Sequence, residues 1–168
     1  MFTIKKRDLE RFKKTRAGLI EFACILEQAS PKVRDKIIAE VGSIDPSFLR
    51  AALKKVVFFE ELIYLEETTL AEILSYASSK MLAYSIAEMD EAFCKKILGS
   101  LDFRKMRQVQ DEQEKSGKIS PNMTFGARIQ ILKIARELEA KEKFVFELVD
   151  CPRFKSNRKE HLRLVDSK

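Results

Sequence analysis

The residue types that do acid–base, nucleophilic or metal chemistry are few in this sequence and badly spaced for it. The single histidine, His161, stands in a polar stretch near the chain end, where a nucleophile–base geometry is hard to hold. Cys24, Cys94 and Cys151 are odd in number, far apart and form no CxxC pair. They suggest neither a disulfide framework nor a zinc site, and read as small buried hydrophobes. Glu60-Glu61 and Glu66-Glu67 are adjacent pairs. Neighbouring residues point to different sides of a helix, so neither pair can share a proton-transfer site. No Gly-rich phosphate loop or metal-spaced cluster occurs. The expectation is a non-enzyme with no metal, no cofactor and no small-molecule substrate.

The charges with useful spacing lie in "FRKMRQVQDEQEKSGKISPNM" (103–123), which reads as a charged helix ending at Gly117 before a loop around Pro121. Arg104, Arg107, Asp111 and Glu114 or Lys115 form a mixed-sign stripe at helical spacing. Arg107 and Asp111 are an i,i+4 pair, worth about 0.2–0.5 kcal/mol on a solvated face. The bland reading is such a solvated face. The functional reading is a steering surface, because exposed charges set orientation and on-rate against a charged partner more than they add affinity.

The net charge of +6 in 168 residues belongs to the ends. Residues 1–16 hold seven Lys/Arg against two Asp/Glu, and residues 149–168 hold six against three. The body is nearly neutral, which disfavours a nucleic-acid face on the folded part. It leaves open an attraction of the ends to an acidic lipid or protein surface. No apolar run approaches the roughly 20 residues of a membrane helix, and no apolar core follows the basic N-terminal residues as a signal peptide needs. A cytoplasmic protein is expected.

The elements that must position these charges read as all-α. Five Gly and four Pro leave few turns. "ILEQASPKVRDKIIAEV" (25–41) and "ILSYASSKMLAYSIAEM" (73–89) match in register at an offset of 48. Ser30-Pro31 and Asp45-Pro46 place a capping side chain before a proline at the first helical position. Thr68, Ser78, Ser79 and Asp90 are further candidate caps. Short helices of about 10 residues are not stable alone and must stack. The expected fold is an armadillo/HEAT-like right-handed superhelix of short helices in two modules.

Between the halves lies "KKVVFFEELIYLEE" (54–67). On a helix, Phe58, Leu62 and Leu65 share one face, and Val56, Phe59 and Ile63 an adjacent one. Glu60, Glu61 and Tyr64 leave a narrow polar strip. A helix buried on two sides is what a connector requires. The expected organisation is a basic segment 1–16, a small module 17–55, a connector helix 56–67, a helical module 68–148 carrying the charged helix 103–116, and a basic, fraying tail 149–168. Within it, 124–148 reads as one long amphipathic helix with Ile129, Leu132, Ala135 and Leu138 inward, then a short extended "FVFEL". Leu9, Phe12, Leu19, Ile20 and Ala23 give the first helix an apolar face. That face either covers the open end of the first repeat or lies on a membrane surface.

"VVFFEELIYLEETTLAEIL", then "KKILGSLDFRKMRQVQDEQE", then a long helix and "KEKFVFEL" resemble the C-terminal region of the flagellar rotor switch protein family FliG. That family carries a Met-Phe-x-Phe hinge followed by an acidic pair and "LVYLD". The matching positions here are Val56, Val57, Phe58 and Phe59, followed by "EELIYLE". The resemblance covers about 17–148. The family's ring-anchoring and middle domains have no counterpart, so a truncated or divergent paralogue, or a fragment, is expected.

The resemblance implies a non-enzymatic rotor component of the flagellar motor at the inner face of the cell membrane. Its partners would be other rotor and switch proteins and the stator's cytoplasmic loop. Self-association would run through the first module, with Ile25, Leu26, Ile37, Ile38 and Val41 as stacking residues. The stator-facing charged helix would present Arg104, Arg107, Asp111 and Glu112. Two other basic positions of the family's charged face fall on Ala87 and Ser120, and its Gly-Pro falls on Gly117-Lys118. The alternative is a non-motor adaptor that reuses the fold, its basic ends contacting lipid or nucleic acid.

Overall fold

A computed structural model describes residues 4–155, so His161 and the basic stretch beyond Lys155 lie outside the described residues. Among the described residues all regular structure is helical. They fall into two compact units, 4–57 and 58–155.

The first unit holds α1 (Lys6–Lys13), α2 (Arg16–Gln28), α3 (Pro31–Ile44) and α4 (Pro46–Leu53). The basic N-terminal stretch folds into it, because Leu9 and Phe12 are buried in its core. The Phe22 ring lies 5.3 Å from Phe12 and 5.1 Å from Phe48. Such a contact stabilises by about 0.5–1.5 kcal/mol beyond its buried area. The apolar face of α1 is thereby occupied, which removes the membrane-lying reading for it. Two separate helices stand where the apolar spacing suggests one continuous helix. Thr15 breaks it, its hydroxyl accepting the Gly18 N–H at 3.0 Å as the α2 cap. Gly18 is required there: a Cβ would sit 2.7 Å from the Phe12 carbonyl oxygen.

Proline after a capping residue starts α3 and α4 as expected. Asp45 accepts the Phe48 N–H at 2.9 Å, whereas the Ser30 side chain makes no cap hydrogen bond. In place of a polar cap at the other end of that hairpin, Arg34 reaches back from α3. Its Nε donates to the Leu26 carbonyl at 2.8 Å, satisfying an orphan acceptor at the end of α2.

The second unit holds α5 (Glu67–Ser75), α6 (Ser79–Ser85), α7 (Glu91–Gly99), α8 (Phe103–Ser116) and α9 (Pro121–Ala140). The helix α6 packs on both α8 and α9, and α5 packs on α9. Ser78, Asp90, Asp102 and Ser120 each accept the N–H three residues on and start α6, α7, α8 and α9. Thr68 lies inside α5, so it is not a cap.

The connector differs from the α-helix expected over 56–67. Residues 56–58 are non-helical, and Phe59–Tyr64 is a 3₁₀ helix. The physical reason is the apolar spacing. Phe59, Leu62 and Leu65 recur every three residues and are all buried. A 3₁₀ helix turns in three residues and stacks such positions on one line. Val56 and Val57 ahead of it are β-branched and adjacent, which disfavours an α-helical start. The 3₁₀ helix packs on α7 and α9. After α9 the "FVFEL" stretch is not extended either: Phe146–Leu148 is one 3₁₀ turn.

Candidate functional site

The charged helix forms over the expected residues, 103–116, and its ends explain why. Asp102 caps the start, accepting the Lys105 N–H at 2.9 Å. Gly117 ends it at φ +57°, a conformation that L side chains rarely adopt. Val109 is buried on the inward side. Lys105, one position from the outward stripe, donates from Nζ to the Leu74 and Ser75 carbonyls at 2.9 and 2.8 Å. Those carbonyls belong to the last turn of α5, where the Leu74 oxygen also accepts the Ala77 N–H at 3.2 Å. Burial holds the Lys105 ammonium below the usual lysine range, against the opposing charge of Asp102.

Lys105 therefore pins the first turn of the helix to α5. Leu74 occupies the repeat position equivalent to Leu26 at the offset of 48, so both hairpins end their first helix on a cation. Arg34 supplies it in one and Lys105 in the other. A local reading of Lys105 as one more solvated charge misses this, because the contact spans 31 residues.

Arg104, Arg107 and Asp111 are exposed, and Glu112 is half-buried on the flank. The Arg107–Asp111 ion pair expected from the spacing is not closed. Arg107 instead lies 5.9 Å over the ring of Phe103, which is itself 73% exposed. Among the described residues none of the four enters an ion pair. In water such a pair barely offsets the side-chain entropy needed to hold it, so open charges are no anomaly. They leave both signs available to an outside partner.

Ala87 and Ser120, where the resemblance would put basic residues, carry structural contacts. The Ala87 carbonyl accepts from Arg128 Nη2 at 3.0 Å, and the Ser120 hydroxyl caps α9. Arg128 also donates from Nε to the Ser85 carbonyl at 2.8 Å, covering the end of α6. Its guanidinium lies 5.5 Å over the Phe59 ring, and Nη1 is 3.7 Å from Glu60. One side chain from α9 thus ties α6 to the connector.

The hinge positions divide by burial. Val56, Val57 and Phe59 are buried, and Phe58 is 43% exposed. The buried Glu27 accepts the Val57 N–H at 2.8 Å. A buried backbone donor needs such a partner, and nothing local in the sequence announces a bond across 30 residues.

Of the expected stacking residues, Leu26, Ile37 and Val41 are core of the first unit and present no surface for stacking. Ile38 is partly buried against that core. Ile25 is 38% exposed, and Val33 beyond the expected set is 51% exposed. The apolar stripe of α3 is thus committed inward, as an amphipathic helix does first.

Cys24, Cys94 and Cys151 are not joined in disulfides. Cys151 is buried, and burial pushes the Cys94 thiol up, so neither is primed as a nucleophile. Among the described residues no group of His, Cys, Asp and Glu is placed to hold a metal. None of the described helices is long and apolar enough to cross a membrane.

A family profile described as the FliG C-terminal domain matches residues 40–146, well over half of the chain. The chain belongs to the FliG C-terminal domain family. The curated flagellar motor switch protein FliG of Helicobacter pylori (strain ATCC 700392 / 26695) is 25% identical over 138 residues. That match covers 82% of this chain and 40% of the relative, so the chain spans well under half of the relative's length.

A crystal structure of H. pylori FliG residues 86–343 superposes with a TM-score of 0.58 at 23% identity, covering 80% of this chain and 63% of that one. A second, of H. pylori residues 116–343, gives 0.52 at 23% identity, covering 82% and 62%. At this identity the structural likeness speaks for the all-α fold. The FliG family match extends from late α3 to the last 3₁₀ turn and so includes the connector and all of α8.

Proposed function

We propose that this chain is a rotor component of the bacterial flagellar motor that works by protein contact without catalysis, with α8 turned to the stator. The observation that carries the reading is the state of the α8 charges. Arg104, Arg107 and Asp111 project from a helix pinned by Lys105 and Val109, and no ion pair within the described residues uses them. Rigid placement of unengaged charges of both signs suits orientation against a charged surface that moves past, because the attraction is long-ranged and leaves little to unbind. Family membership supplies the setting, since the curated relative is a flagellar motor switch protein.

Ring contacts to other rotor proteins belong to the same proposal. On the first unit, Ile25, Val33 and Leu53 are the exposed large apolar side chains among the described residues, and they are available for stacking on a second module. Such a component would sit at the cytoplasmic base of the flagellum. Charge reversal of Arg104 and Arg107 to Glu in the source organism tests the reading. Swimming in soft agar should fall sharply while the protein level holds, and unchanged spreading would remove the stator-facing role.

A further inference from the structure

We infer that residues 149–155, beyond the end of the family match, form a strap that clamps Phe58 and the start of the 3₁₀ helix to the rest of the second unit. The strap is anchored by apolar side chains on either side of a cation. Cys151 and Phe154 are buried, and the Phe154 ring lies 6.5 Å from Phe146. Between them Arg153 forms a two-pronged ion pair with Glu61 of the connector, Nε to Oε1 and Nη2 to Oε2. Its guanidinium also lies 5.2 Å over the Phe58 ring and 4.7 Å over that of Phe154.

Glu61 is the hub of the clamp. Its side chain is 11% exposed, and Oε2 also accepts the Phe58 N–H at 2.8 Å. The same carboxylate therefore fixes the backbone where the 3₁₀ helix begins and receives the cation from a residue 92 positions later. Forked Arg–carboxylate pairs are directional as well as strong. At this low exposure, removing one partner leaves the other charge poorly solvated. Phe58, though 43% exposed, is held by the ring stacking and not by burial alone. The strap thus sets how firmly the first residues of the second unit are held, and a pull on the chain after α9 passes to Phe58 through Arg153 and Glu61.

Hydrogen–deuterium exchange on the full chain tests this, comparing wild type with Arg153→Gln, Glu61→Gln and the double variant. Gln at 61 keeps an acceptor for the Phe58 N–H, so it removes the ion pair alone. Amides of 58–65 should exchange about tenfold faster in either single variant, less than the loss of one member of a fully buried pair would give, because the Arg153 side chain is 29% exposed. The double variant should add little further, and α8 amides should stay at wild-type rates. Unchanged exchange over 58–65, an even rise across the second unit, or full additivity of the two variants would each overturn the strap. Should Arg153→Gln not fold, Arg153→Lys keeps the charge without the fork and is expected to give a smaller rise in the same window; no rise there would equally overturn it.

Discussion

Arg128→Ala is the perturbation whose size can be worked most directly from contacts. The side chain makes two charge-assisted hydrogen bonds, to the Ser85 carbonyl at the end of α6 at 2.8 Å and to the Ala87 carbonyl in the turn after it at 3.0 Å. Each such bond contributes about 1.5–3 kcal/mol when its partner would otherwise be unsatisfied. The guanidinium over Phe59 adds about 0.5–1 kcal/mol. The 3.7 Å approach to Glu60 adds little, because Glu60 is more than half exposed. Water will reach the freed Ser85 and Ala87 carbonyls in part, since the Arg128 side chain is 23% exposed. The expected loss is therefore about 2–4 kcal/mol, below the simple sum. Arg128→Lys retains charge but not the fork, and should lose about half as much. The chain has no Trp, so urea unfolding is best followed by far-UV circular dichroism, with hydrogen exchange on α6 as the local readout. A loss under about 0.5 kcal/mol, the range of an ordinary surface change, would refute the view that Arg128 holds α6 to the connector. So would an equal loss in Glu60→Gln.

Gly18→Ala should destabilise the first unit by about 1–3 kcal/mol, because the added methyl must push the Phe12 backbone away from α2; a thermal melt within a degree of wild type would contradict this. The docking of α1 should also depend on pH at both extremes. Lys13 Nζ lies 2.6 Å from Asp45 Oδ2. The hydrogen bond from Lys13 holds the Asp45 carboxyl below the usual carboxylate range, and the bond to Asp45 raises Lys13 above the usual lysine range. The Asp45 contribution is thus complete above a pH of about 4 and is lost as pH falls through its lowered value. The Lys13 contribution is complete below a pH of about 10 and is lost as pH rises through its raised value. Asp45→Asn keeps an N-cap acceptor for Phe48 but should speed α1 amide exchange at neutral pH and abolish the acid dependence. An unaltered acid limb in that variant would refute the assignment.

Local rules read from the sequence locate most helix starts. Asp45, Ser78 and Asp90 cap as the sequence announces, by the three-residue spacing; Asp102 and Ser120 obey the same rule, although the sequence reading named neither as a cap. The charged helix and its glycine stop were legible for the same reason. The connector misled because eight apolar residues in ten satisfy an α-helical wheel on two faces. The every-third spacing of Phe59, Leu62 and Leu65 was the better signal. The stacking set misled because periodicity identifies the apolar face of α3 but not whether its own unit consumes it. Least legible were the long-range polar ties made by Glu27, Lys105, Arg128 and Arg153. Each joins residues at least 30 apart, and each reads locally as one charge among many.

The torque of single motors in tethered cells addresses the central claim most directly, with α8 carrying Arg104→Glu and Arg107→Glu, or Asp111→Lys and Glu112→Lys. These side chains make no ion pair among the described residues, so both variants should melt as wild type does. The account predicts lowered torque from each reversal at normal rotor incorporation. Wild-type torque from both would contradict it.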